Sequence, residues 1–354
     1  MIGNMLPANL KVYRLAWRLY FGRASPLTRL SCAGRLFRGR FLSARAPIST
    51  MIGLTYRCQC RCVHCGMELK RAAGQELTLA EVKGVIGQAR RLGAVEITLF
   101  GGEPLLRKDI VEIVAAARDL RMLPSIDTNG LLLTKDLVAR LAEAGLGAVK
   151  VSLDSSRPEV HDRLRGSPGC FEKAIAGIRR CREAALPCVI STYATKENLE
   201  NGELGRLIAR GRELGVDAVR VLDTTLSGCF LSSPALLLDR AARSRLAGLI
   251  EPGFVFLENL ASAKKLTHPV CSAVSRRYLY VSPVGDVQPC CFVPLAFGNV
   301  REKPLREILS GMWGSEIMDY GAGDCLMNNP RFREKYHARI AAAAALPLRE
   351  GGKQ

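Results

Sequence analysis

The chain has 354 residues, enough to bury a full core as one large domain or one domain with a smaller appendage. Lysine and arginine exceed aspartate and glutamate by 51 to 33, and no apolar run is long enough to span a bilayer. Thirteen cysteines, an odd number in tight clusters, argue against a secreted disulfide framework and for a reduced, cytoplasmic chain with thiolate metal ligands.

The charge is uneven from the start. Residues 1–50 hold nine basic residues (Lys11, Arg14, Arg18, Arg23, Arg29, Arg35, Arg38, Arg40 and Arg45) and no acidic one. Leu10, Tyr13, Trp17, Tyr20 and Phe21 recur there at helical spacing, beside Lys11, Arg14 and Arg18. Two readings are open. This segment, 1–48, is a basic amphipathic helix that lies on an anionic membrane through residues 1–45. Alternatively, its aromatic face packs on the main domain. Arginine interrupts every apolar run, so no secretory signal is expected.

From residue 49 to about 230, apolar β-branched runs at 49–56, 94–100, 123–129, 148–154, 187–193 and 216–223 alternate with helical patterns. That rhythm predicts βα units around a parallel sheet, an α/β partial (βα)6 TIM-like barrel. The unusual residues fall at the strand ends: TYRCQCRCVHC, GGEP, DTNG and SLDSS. Parallel folds build their sites there. Residues 231–270 read as a helical connector. Residues 271–330 read as a small cysteine-bearing domain around the hairpin RYLYVSPVGDVQPCC, and residues 331–354 as a helical tail that frays.

Cys58, Cys62 and Cys65 put three thiols on one tight loop. Thiolates select soft metals, either structural zinc, which takes four protein ligands, or an iron–sulfur cluster with one iron left open. Cys60 alternates with Cys58 and Cys62 and would point away in an extended segment. Cys271, Cys290, Cys291 and Cys325 form a second group, again compatible with zinc or a cluster. Cys32, Cys170, Cys181, Cys188 and Cys229 read as ordinary core or surface thiols.

The loop TYRCQCRCVHC resembles the cluster loop of radical S-adenosylmethionine (radical SAM) enzymes, whose three cysteines are spaced x3 and x2. Three positions depart from that pattern. His64 stands where an aromatic residue is usual, Gln59 where asparagine is frequent, and Cys60 where an apolar residue is usual. LFGGEPLLR resembles the family's GGEP segment, which implies that Gly101, Gly102, Glu103 and Pro104 receive the amino group of S-adenosylmethionine. By the same resemblance Thr128, Asn129, Ser152 and Asp154 take ribose and methionine contacts. Arg165, in HDRLRG, pairs with the methionine carboxylate. These motifs cover residues 50 to about 225 in family order. The resemblance implies a [4Fe–4S] cluster whose open iron takes S-adenosylmethionine. It further implies reductive cleavage to a 5′-deoxyadenosyl radical, hydrogen abstraction from a substrate, and a one-electron donor such as flavodoxin or ferredoxin.

Residues 271–330 resemble the SPASM or twitch extension of that superfamily, which implies that Cys271, Cys290, Cys291 and Cys325 ligate one auxiliary [4Fe–4S] cluster. Substrates in such members are peptides, small molecules or lipids. Residues 1–50 read as helices without strands, which disfavours a leader-peptide maturase. The competing reading, a zinc protein binding nucleic acid, rests on the basic charge and two cysteine groups. It leaves the GGEP, DTNG and SLD segments unexplained, so nucleic acid is not favoured.

Overall fold

The computed structural model describes residues 8–41, 47–67, 74–258, 271–321 and 325–350. Residues 1–7 and 42–46 of the basic segment, 259–270 of the expected connector and 351–354 of the tail lie outside the described residues.

Two helices come first, α1 (Ala8–Ala16), extended by a wider π-helical turn over Trp17–Phe21, and α2 (Pro26–Phe41). The strands of the main sheet are β1 (Ser49–Gly53), β2 (Glu96–Phe100), β3 (Leu123–Thr128), β4 (Ala148–Ser152), β5 (Cys188–Tyr193), β6 (Ala218–Leu222), β7 (Val255–Leu257), β8 (Tyr278–Val281) and β9 (Val287–Gln288). Between them lie α3 (Leu79–Leu92), α4 (Ile110–Asp119), α5 (Lys135–Glu143), α6 (Pro158–Arg165), α7 (Cys170–Glu183), α8 (Lys196–Glu200), α9 (Glu203–Glu213) and α10 (Arg240–Leu249). After β9 come α11 (Leu305–Gly314) and α12 (Pro330–Ala342).

The boundaries have local causes. Thr78 and Glu81 form a reciprocal capping box that starts α3, and Gly93 ends it in the left-handed conformation. Pro158 occupies the first turn of α6 and left-handed Gly166 closes it. Ile97, Leu99, Ile126, Val149, Val151 and Ile190 are fully buried, so the strands form where apolar side chains lose the most contact with water.

The sheet order is β7-β6-β5-β4-β3-β2-β1-β8-β9. The six expected βα units stand in sequence order, all parallel. The sheet then continues at both ends. The expected helical connector also supplies β7, parallel to β6. β8, from the cysteine-bearing segment, pairs parallel with β1, setting Ile52 opposite both Leu99 and Val281. β9 returns antiparallel on β8 around left-handed Gly285, as the hairpin reading requires. The tail does not fray along its described length. Phe332, Tyr336 and Ile340 bury one face of α12, and Leu348–Arg349 pairs with Leu295–Ala296.

The amino-terminal helices pack across the amino ends of the strands. Val12, Leu15 and Leu19 bury against Val189, Ala218 and Phe256, and Cys32 buries against Val95 and Leu123. The packed face is therefore not the expected aromatic row. Leu10, Tyr13 and Trp17 are exposed, and Tyr20 and Phe21 are half-buried. Among the described residues, no helix is long and apolar enough to cross a membrane.

Candidate functional site

The cysteine loop leaves β1 and is held by hydrogen bonds from four directions. Gly102 N donates to Thr55 O at 2.7 Å and Glu103 N to Arg57 O at 2.8 Å. Arg61 N and Val63 N donate to Arg165 O and Leu164 O at the end of α6. Cys229 N donates to Cys65 O at 3.0 Å. Asn129 Nδ2, at the end of β3, reaches Gln59 Oε1 at 3.2 Å and Cys58 Sγ at 3.8 Å. Glycine is required where these backbones touch. A Cβ on Gly101 would lie 2.4 Å from Thr55 O, and one on Gly102 would lie 2.3 Å from Arg57 O.

A cavity of about 270 Å³ runs through the barrel interior, from the motifs at the carboxyl ends of the strands to the amino-terminal helix. Cys58, Cys60, Cys62 and Cys65 line it, and so do Gly101, Gly102, Thr128, Asn129, Ser152 and Arg165. Cys271, Cys290, Cys291 and Cys325 line the same cavity, so both cysteine groups share one chamber. Leu19 and Tyr20 of the amino-terminal helix lie on its wall as well.

Three expected contact residues stand behind the wall. Glu103 is fully buried, with Leu105 N and Thr128 Oγ1 donating to one oxygen and Asn129 N to the other. Burial pushes its carboxyl up to about 7 against those bonds. Pro104 is buried at the start of a single 3-10 turn. Asp154 is buried and takes Arg165 Nε at 2.6 Å, and that arginine's Nη1 lies 3.7 Å from Cys62 Sγ. Asp154 thus orients Arg165 and caps no helix. His64 Nε2 is 3.4 Å from the same carboxylate, and burial pushes the imidazole down to about 4, so it stays neutral.

All thirteen cysteines are free of disulfides. Cys60 does not point away from the others. Its thiol hydrogen-bonds Cys58 and Cys62, drawing Cys58 down to about 6 and Cys62 to about 7, and is itself pushed up. In the second group, Cys271, Cys290 and Cys325 lie close enough for their charges to act on one another, and burial raises Cys271 and Cys325. The charge of Cys291 reaches Tyr193 of β5. Among the described residues, no three His, Cys, Asp or Glu side chains converge on a single ion position. A cluster takes each ligand on a separate iron, so its cysteines do not need that convergence. Free thiols on a pinned loop, two of them shifted toward thiolate beside a buried guanidinium, fit a thiolate-held cluster.

Residues 52–208 match the radical SAM superfamily, and residues 271–325 match SPASM, an iron–sulfur cluster-binding domain. An AdoMet-dependent heme synthase of Methanosarcina barkeri is 32% identical over 72% of this chain and 80% of its own length. The chain belongs to the radical SAM superfamily. It is therefore an enzyme with a [4Fe–4S] cluster and S-adenosylmethionine, and its SPASM domain implies auxiliary iron–sulfur chemistry. A PqqA peptide cyclase of Granulibacter bethesdensis is 30% identical over 75% of this radical SAM chain and 74% of its own. In fold, Streptococcus suis SuiB bound to precursor peptide SuiA matches with a TM-score of 0.62 at 19% identity, over 81% of this chain and 69% of that one. anSMEcpe with bound AdoMet matches at 0.60 and 15%, over 84% and 99%.

Several cavity residues were not singled out in the sequence. Asp127 takes Lys150 Nζ at 3.1 Å and Arg220 Nη2 at 2.6 Å, deep in the barrel. Lys150 in AVKVS and Arg220 in AVRVL each interrupt an apolar strand, and that interruption is the signal that finds them. Glu258 follows β7 in a left-handed conformation (φ 42°). Burial and then the Asp223 charge raise its carboxyl to about 7. Four acidic side chains (Glu96, Asp127, Asp223 and Glu258) and four basic ones (Lys150, Arg165, Arg220 and Arg243) line the cavity.

Proposed function

We propose that this radical SAM enzyme abstracts a hydrogen atom from a peptide side chain held in the barrel, with Cys58, Cys62 and Cys65 as ligands of its catalytic cluster. The observation that carries this reading is the single chamber lined by both cysteine groups and by the strand-end motifs. When bound, the reduced cluster supplies the electron that cleaves S-adenosylmethionine to the hydrogen-abstracting 5′-deoxyadenosyl radical. The protein's own residues orient and exclude. Arg165, its charge set by Asp154, offers guanidinium donors to the methionine carboxylate. Backbone oxygens at Gly101 and Gly102 take the methionine ammonium, and Glu103 holds that turn against Thr128 and Asn129. Thr128, Asn129 and Ser152 take the remaining polar contacts, and Leu19 and Tyr20 close the floor against water. Cys271, Cys290, Cys291 and Cys325 would hold the auxiliary cluster.

The peptide class is supported by the relatives named as peptide cyclases and by the neighbour bound to a precursor peptide. The test is anaerobic turnover with S-adenosylmethionine, dithionite and pools of deuterated peptide, lipid or small metabolites. Deuterium should enter 5′-deoxyadenosine from the peptide pool. Label arriving only from another pool overturns the substrate class. Absence of 5′-deoxyadenosine in every pool overturns the assignment of the catalytic loop.

A further inference from the structure

We infer that the outward faces of α1 and α2 form a docking surface for an anionic lipid bilayer. Among the described residues, eight large apolar side chains are exposed, and six of them (Leu10, Tyr13, Trp17, Leu27, Leu30 and Phe37) fall on these two helices. Their exposure runs from 41% at Leu10 to 72% at Leu30, far above what a core-packed side chain keeps.

The pattern is two stripes. Leu10, Tyr13 and Trp17 are spaced i, i+3, i+7 on one helical face, and Leu27, Leu30 and Phe37 are spaced i, i+3, i+10 on another. The stripes adjoin, because the Arg29 guanidinium, next to Leu30 in the chain, lies 5.1 Å from the Trp17 ring centre. The opposite faces of both helices are already spent on the barrel, through Val12, Leu15, Leu19 and Cys32. The exposed stripes lie on the faces turned away from the barrel, and a patch of this kind marks an interaction surface.

Charge selects the occupant. Arg14 and Arg38 stand exposed beside the stripes, and residues 1–50 contain no carboxylate to offset them. A second copy of this chain would set like charge against like charge. A nucleic acid would use the arginines and leave Leu27 and Leu30 without a partner. Aliphatic and aromatic side chains on a basic helical surface match the headgroup boundary of an anionic leaflet, where each group finds its own environment. The contacts with Val189, Ala218 and Phe256 place this surface at the amino ends of the strands. The cysteine loop follows the carboxyl end of β1, so the docked enzyme carries it on the side away from the bilayer.

The test is co-sedimentation of the full chain with vesicles of phosphatidylcholine alone or of equal parts phosphatidylcholine and phosphatidylglycerol. Binding should require phosphatidylglycerol and weaken as salt rises. The double variant Leu27→Glu, Leu30→Glu should bind at least about tenfold more weakly. Both positions are exposed, so iron content and thermal midpoint should stay at wild-type values. The variant Arg14→Glu, Arg38→Glu should show the same loss and keeps the test decisive if the first variant unfolds. Equal binding to neutral vesicles, no binding to either, or wild-type binding by both variants overturns the inference. So does a dimer, or binding to single-stranded RNA, that the variants abolish while vesicle binding is absent.

Discussion

Cys60 shows how one thiol shapes two others. Its single S–H lies between Cys58 and Cys62, so whichever sulfur it faces gains thiolate character from a neighbour that is left protonated. Alternation along an extended strand would have turned it away, but the loop bends. Cys60 N reaches Cys58 Sγ at 3.4 Å and Cys65 N reaches Cys62 O, so period-two geometry does not apply. If Cys58, Cys62 and Cys65 are the ligands, Cys60→Ala should keep wild-type iron and acid-labile sulfide after anaerobic reconstitution. Loss of about four irons per chain would make Cys60 a ligand instead. At this scale the sequence motifs were a good guide to which residues meet and a poorer one to which face the chamber. Glu103 and Asp154 belong to the right motifs, yet both are spent on internal bonds. Whether a carboxylate points into a cavity or behind it depends on donors that fold back from other strands.

Between elements, Glu203 at the start of α9 acts as a clasp on the turn after β4. Ser155 Oγ donates to it at 2.6 Å, Ser156 N and Oγ each at 2.7 Å, and Arg206 pairs with its other oxygen. Burial pushes the carboxyl up, but these bonds outweigh it and hold the group at about 2. The folded value lies below the unfolded one of about 4.3, so its contribution to stability is full above that pH and disappears as pH falls toward 2. The contribution is on the order of 2 kcal/mol. Urea midpoints measured between about pH 5 and pH 2 should therefore drop more steeply for wild type than for Glu203→Gln. Equal slopes would mean that the clasp is absent in solution. The six βα units were legible because long apolar periods repeat over whole elements. β7 was not, because it has three residues, and β8 was read correctly as a hairpin strand without its partner. Pairing between segments far apart in the chain leaves no local pattern. The amino-terminal helix was legible as amphipathic, but its inward face is the aliphatic row Val12, Leu15 and Leu19. Branched aliphatic side chains fill the barrel floor, and the broad rings of Tyr13 and Trp17 stay outside.

Across the whole molecule, two cysteine groups more than two hundred residues apart in sequence meet in one chamber. Their metal sites should nonetheless load separately, since no cysteine is shared between the proposed ligand sets. The triple variant Cys58→Ala, Cys62→Ala, Cys65→Ala, reconstituted anaerobically, should retain roughly four irons, one cubane at Cys271, Cys290, Cys291 and Cys325. Retention of none would remove the second centre. Iron and sulfide analysis of the purified variant decides between them.

The pairing of β8 with β1 also bears on the order in which the chain can mature. β1 leaves the ribosome more than two hundred residues before β8, and its outer edge has no hydrogen-bonding partner until residues 278–281 have been made. Through most of synthesis the strand that carries the cysteine loop is thus an open edge, able to pair with another chain. Vectorial folding from the amino terminus cannot complete this sheet. The nascent barrel has to wait, with its first strand half-bonded, for the last third of the polypeptide to come back and close it.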